Sequence, residues 1–400
     1  MDNPFEFHEE DAIIACVGDN GGTTDEDIRN GFKRTVELLI ESLKVGQEVE
    51  DLVVYPIVYN ARHSIELSLK IVIKMLWKME REKKINYSNE IIAERKKKLH
   101  THNIEKLYKV ACENKNIDRR IPAYFENIED MICFYYFDED GDAFKYELNK
   151  ENQPHMIKNK ISHISIELLE IEFKEVMRKF DDLIYFLGNC IDEYSLGTFT
   201  KSLSRTDIMN ISKKLPIYKE WNTKKFKEVK NQIKQEYQIG SKELSDALNF
   251  IKENRLFSTN IGRERVFGTI TEDELKEYAS LVKYYEEKDK LKEKVIIEWD
   301  NLAGIQENAK ILKNYLSRIS IETLNTLLCF CEIGNSNLEV ENLENTYKYI
   351  VDSSYNEIYI IRKLKRKNVC LRIIDGMRKC GQVTYEKQLQ TALEDAQVCL

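Results

Sequence analysis

Proline and glycine are scarce in this chain, five and 15 among 400 residues. So few turn formers exclude a turn-rich all-β fold and leave room for long helices. No apolar run approaches the ~20 residues of a bilayer span; the run Ile71-Val-Ile73 is cut by Lys74. No membrane association is expected. No Cys-x-x-Cys occurs, and Gly18-Asp-Asn-Gly-Gly22 matches neither G-x-x-x-x-G-K-[ST] nor G-x-G-x-x-G, so nothing calls for a nucleotide there. The acidic start lacks the basic region of a secretory leader. A net charge of -8 excludes a globally basic surface, although basic runs persist at Lys96 to Lys98, Lys213-Lys214, Lys224-Lys225 and Arg362 to Lys367. Nine cysteines without regular spacing make no disulfide framework and point to a reducing, cytoplasmic location.

What is present is the material of a folded helical protein. With 42% hydrophobic and 32% charged residues the chain can bury a sizeable core, and its length suits two domains. The expected fold is mostly α, with a helical bundle over 1–195, a linker at Ser195-Leu-Gly-Thr198 and a second all-α domain over 196–400.

Ala12 to Val17 reads as a short strand or extended arm. The capping box Thr23-x-x-Glu26 opens a first helix, whose apolar positions Ile28, Phe32, Val36, Leu39 and Leu43 run to Gly46. A second helix is expected from about Asp51 to Lys83, with Pro56 tolerated because it lies near the start. After the charged stretch Arg81 to Lys98, Thr101 or Asn103 can cap a third helix ending near Asn114. A fourth spans Ile121 to Tyr135, and Phe134 to Tyr146 reads as two short aromatic strands around the Asp140-Gly141 turn. A helical stripe then runs from Ile157 to Tyr194. Beyond it, caps at Ser241, Thr271, Ser320 and Thr384 announce shorter helices, and residues 368–400 form a helix-turn-helix-like element.

The second helix carries the chemistry. Arg62, Glu66 and Lys70 are four residues apart on one face of an otherwise apolar helix, with His63 three residues from Glu66. One reading is a buried ion-pair ladder, joined by His102, that locks the third helix onto the second. The other has Arg62 or Lys70 hold a phosphate while His63 or His102 exchanges a proton. His100 and His102 alternate near a helix start, but no third metal ligand accompanies them, and no metal or other cofactor is expected. The acids Asp138, Glu139, Asp140 and Asp142 lack calcium-loop spacing and read as solvated turn residues.

Three stretches of the first 195 residues resemble the HEPN superfamily of helical bundles. Arg62-His-Ser-Ile-Glu-Leu-Ser-Leu-Lys70 is similar to the R-H-x-x-E-x-x-x-K helix of one bacterial group, His102-Asn-Ile-Glu-Lys-Leu107 to its H-[DN]-[LI]-x-x-L turn, and Phe134 to Gly141 to its aromatic-acidic hairpin. The resemblance implies an RNA-directed effector or toxin-like component of a bacterial antiphage defence system, a metal-independent endoribonuclease if it is an enzyme, and a homodimer. By that implication Arg62, His63 and His102 are the catalytic candidates, Lys70, Arg95 and His100 bind substrate, and Glu66 orients them. Ribonucleolytic members carry R-x(4-6)-H near the start of the last bundle helix. Here neither His155 nor His163 has an arginine at that spacing; Arg95 precedes His100 and His102 instead. The alternatives are a nonenzymatic interaction or sensor protein, and a DNA-binding regulator using Tyr385, Lys387, Gln388 and Gln390 of the last helix.

Overall fold

A computed structural model describes residues 5, 6, 9, 12–294, 311–315 and 317–398. Among them the regular structure is helical, without a strand, and the only ladder contact is an isolated bridge between Leu148 and Pro154. The chain divides into two compact units, Met1–Gly197 and Thr198–Leu400. No helix among the described residues is long and apolar enough to cross a membrane.

The N-terminal unit is organised by α2, Glu50–Glu82, which packs on α1, Asp25–Lys44. Its buried residues include Val53, Ile57, Ala61, Ile65, Leu69, Val72, Leu76 and Met79, with Val58, Ile71 and Ile73 buried between them. A stripe that wide needs neighbours on several sides. Besides α1 they are α4, Ile104–Glu113, and α7, Ile166–Ser195. Helix α3, Asn89–Lys98, buries no residue and lies in the stretch expected only to be charged. The short helices α5, Ile128–Ile132, and α6, His155–Lys158, complete the unit.

The helix ends follow local chemistry, with shifts from the expected positions. Thr24 and Asp27 form the first capping box, one residue after the predicted pair. Pro56 lies in the second turn of α2, at an exposed position where its missing N–H leaves no buried carbonyl stranded. The predicted helix Ile121 to Tyr135 breaks into a 3-10 turn, Pro122–Phe125, then α5, then a second 3-10 turn, because Asn127 takes a left-handed conformation at φ 64. The helix expected from Ile157 starts only at Ile166: Lys160 has φ 55, and the Ser165 side chain caps the later start by accepting the Leu168 N–H. The two strands expected around Asp140-Gly141 do not form; that segment is a string of turns pinned to α2, and of the two forms expected for Ala12 to Val17, strand or extended arm, the strand is not formed among the described residues.

In the C-terminal unit, α8 (Arg205–Lys214), α9 (Lys224–Tyr237), α10 (Ser241–Glu253) and α11 (Arg255–Asn260) enclose one core around Ile208, Ile233, Ala247 and Phe257. A larger core is built by α12 (Glu272–Lys294), the helical residues 311–315 (α13), α14 (Ile321–Gly334), α15 (Leu343–Asp352), α16 (Glu357–Leu364), α17 (Lys367–Lys379) and α18 (Val383–Asp395). Leu256 packs against both cores. The crossing of α14 and α17 is closest where two glycines meet: a Cβ on Gly334 would overlap the Arg372 carbonyl, and one on Gly376 the Phe330 carbonyl. Backbone touches backbone there.

Gly376→Ala is therefore expected to cost about 3 kcal/mol or more in urea unfolding, since no flexible side chain can yield. Gly31→Ala, in α1 with open space around its Cβ position, should instead stabilise by roughly 0.5–1 kcal/mol.

Candidate functional site: a buried arginine fork and an exposed histidine

The Arg62 side chain is 2% exposed, so its charge must be answered locally. Nη1 donates to Glu66 Oε2 at 3.1 Å, and Nη2 donates to the backbone carbonyls of His102 at 2.6 Å and Asp138 at 2.8 Å. Nε lies 2.8 Å from Asp138 Oδ2. One planar fork thus ties α2 to the residue before the cap of α4 and to the turn at 138. Asn103 then caps α4 by accepting the Lys106 N–H.

Asp138 is the residue that the sequence reading misplaced. It is buried, not a solvated turn acid, and its Oδ1 accepts the N–H groups of Asp142 and Ala143 at 2.9 and 3.1 Å. Gly141 follows from the same packing: at φ 75 its Cβ would sit 2.9 Å from Arg62 Nη1. An Asp followed three residues later by Gly inside an aromatic segment was the available signal. What it lacked was any mark that its partner lay 76 residues earlier. Glu139 and Asp140 are exposed as expected, and Asp142 is half-buried.

Glu66 gathers the remaining charges. Lys70 Nζ donates to Oε1 at 2.8 Å, His102 Nδ1 lies 3.0 Å from the same oxygen, and His63 Nδ1 lies 3.8 Å from Oε2. Burial alone would raise the carboxyl, but His63, Lys70 and His102 outweigh it and hold it at about 2. Glu66 is ionised at neutral pH and can only accept. His102 Nδ1 must then carry the hydrogen, which in the neutral ring leaves the lone pair on Nε2. The His102 side chain is 58% exposed, against 2% for Glu66. His63 is more enclosed, stacked on Tyr59 and edge-on to Phe32 with centroids 5.8 and 4.5 Å away.

Of the sequence candidates, the structure brings Arg62, His63, Glu66, Lys70 and His102 together. Arg62 is sealed and acts on the others by position. Arg95 is elsewhere: it pairs with Glu80 and lies over Trp77 and Tyr87, and Glu80 is 14 residues along α2 from Glu66, about 21 Å at helical rise. His100 is exposed and makes no side-chain hydrogen bond or ion pair with the described residues. In the last helix Tyr385 is buried, its hydroxyl donating to the Gly268 carbonyl, while Leu389 and Leu393 join the core. Only part of the face proposed to read DNA is therefore free. Among the described residues no cluster of three His, Cys, Asp or Glu side chains could hold a metal ion.

No family model, curated protein or solved structure matches the chain.

Arg62→Ala should cost about 3–5 kcal/mol in unit stability, because it leaves Asp138 buried without its cation and strips one of the partners from Glu66. Hydrogen exchange at α2 amides measures it, and Arg62→Lys should recover only part of the loss, since a single ammonium cannot span the fork. Acid offers a second measurement. The Glu66 carboxyl sits at about 2 in the folded chain against an ordinary 4.5, so its contribution is complete above 4.5 and disappears as the pH falls toward 2. Glu66→Gln should flatten the stability–pH profile in that window.

Proposed function

We propose that the chain is an RNA-directed effector of the toxin-like kind that serves bacterial antiphage defence, with a HEPN-like N-terminal unit acting as a metal-independent endoribonuclease. The observation that supports it best is the His102–Glu66 pair. An exposed imidazole held through Nδ1 by a buried carboxylate has the tautomer and orientation of a general base.

In the proposed reaction His102 Nε2 takes the proton of an RNA 2'-hydroxyl as that oxygen attacks the adjacent phosphorus. The bond to the 5'-oxygen breaks, and the imidazolium returns the proton to the leaving oxygen. The products are a 2',3'-cyclic phosphate and a 5'-hydroxyl, with atoms and charge conserved. Lys70, bonded to Glu66 and partly exposed, is the cation placed to meet charge growing on the phosphoryl oxygens. The exposed Lys106 adds positive charge on the His102 side, partly offset by Asp140, which His102 and Lys106 help to hold ionised after its stronger bond to Lys150. Arg62 is a positioning residue here, fixing both the helix that bears Glu66 and the backbone of His102. A homodimer is proposed as the working form on the strength of the resemblance alone.

A second reading has its own observation. Arg62 is sealed and Glu66 is fully partnered, which suits a structural keystone in a nonenzymatic interaction or sensor protein. The two readings separate in one assay.

The purified chain should cleave single-stranded RNA in EDTA and leave cyclic phosphate ends. His102→Ala should slow cleavage by ~100-fold or more with little change in melting temperature, because the ring is mostly exposed. Cleavage at the wild-type rate in His102→Ala sinks this site; absence of cleavage by the wild type, with Arg62→Ala still lowering the melting temperature, favours the keystone.

A further inference from the structure

The start of α7 and the 134–144 segment enclose a cavity of about 400 Å³ on the N-terminal unit, within the range of small-molecule sites. Its walls are aromatic and aliphatic, with Val58, Phe134, Phe137, Phe144, Phe173 and Val176 among them. Part of the rim is apolar yet solvent-exposed, notably Phe134 and Leu168. Apolar residues left open around a concave site mark binding surface more often than idle surface.

One carboxylate, Glu172, stands in this apolar wall. It makes no hydrogen bond or ion pair with the described residues. The basic residues that follow it on α7 are already engaged: Lys174 pairs with Glu170, Arg178 with Glu175 and Asp182, and Lys179 donates to the Glu126 carbonyl. Among the described residues no lysine or arginine lines the cavity. His163, also in the wall, has its Nδ1 2.9 Å from the Ser162 hydroxyl. An adjoining cavity of about 350 Å³ shares Phe144, Ile161, His163 and Ile164 with the first and adds Glu50 and Asp51, again without a lysine or arginine in its lining. The first space is therefore apolar inside, and the formal charges lining both, His163 aside, are carboxylates.

From this complementarity we propose that the cavity binds a small amphiphilic cation: an apolar, aromatic or branched body carrying one amine. The body displaces water from the phenylalanine-rich wall, and the ammonium pairs with Glu172 at the boundary where the carboxylate is only half-desolvated. An acid of the same shape meets the carboxylates unfavourably, and a neutral analogue leaves Glu172 unanswered. The site is independent of the proposed RNA chemistry, which uses Glu66 and His102.

The test is calorimetric titration of the full chain with three isosteric probes, 4-phenylbutylamine, 4-phenylbutanol and 4-phenylbutyrate. The amine should bind saturably, about tenfold or more tighter than the alcohol, with the acid weakest. Glu172→Gln should bring the amine down to the alcohol. Leu168→Trp, at the exposed rim where a larger ring need not disturb the core, should weaken the amine by blocking entry, with an unchanged melting temperature showing that the unit is intact. The proposal is overturned if no probe binds saturably, if alcohol or acid binds as tightly as the amine, if Glu172→Gln keeps the preference, or if a folded Leu168→Trp binds the amine like the wild type.

Discussion

One buried guanidinium shared by oxygens from three separate segments is the constraint on which the N-terminal unit depends. Arg62 belongs to α2, but its acceptors include the carbonyls of His102, before α4, and of Asp138, whose carboxylate also pairs with it by charge. Desolvating such a group is tolerable only when each acceptor is in place at once. The fork therefore selects one arrangement of the three segments. Gly141 is a consequence, because the turn must close over the guanidinium without a side chain. The failure of 134–146 to form strands is another: a segment that folds its Asp138 carboxylate onto its own N–H groups has committed that backbone to turns.

The same helix separates holding from reacting. Arg62 faces inward and is sealed, whereas Glu66, one turn later, passes its negative charge outward to Lys70 and His102. An ionised carboxylate fixes which nitrogen of the exposed ring carries hydrogen, a decision that an isolated histidine in water leaves open. On another side of α2, the aromatic residues of the turn segment face a cavity whose wall carboxylate, Glu172, has no cation among the described residues. Phe137 and Phe144, which flank the Asp138 to Gly141 turn, line that cavity, so one stretch of chain contributes to both the fork and the proposed binding site.

Much of the helical frame was legible because its signals are local. The wide apolar stripe of α2 and the caps at Asn103, Thr271 and Ser320 can be read from a few neighbouring residues. The spacing of Arg62, Glu66 and Lys70 likewise placed three charges on one face, and His102 was within reach of a simple guess. What could not be read was partnership across sequence distance. Asp138 looked like a turn acid because nothing in its own segment shows that Arg62 requires it. Arg95 looked like a substrate ligand by spacing to His100 and His102, yet Glu80, Trp77 and Tyr87 hold it far along α2. Left-handed residues such as Asn127 and Lys160, which shorten two expected helices, leave little trace in hydrophobic periodicity.

The central claim is that the buried Glu66 carboxylate sets His102 in the form of a base aimed outward. Nitrogen-15 NMR of the imidazole at a pH where the ring is neutral tests this most directly, since the two ring nitrogens differ sharply in shift when one bears hydrogen. The account predicts hydrogen on Nδ1 and a lone pair on Nε2 in the wild type, with that preference lost in Glu66→Gln. Hydrogen on Nε2 in the wild type, or the same tautomer mixture with and without the Glu66 carboxylate, would contradict it.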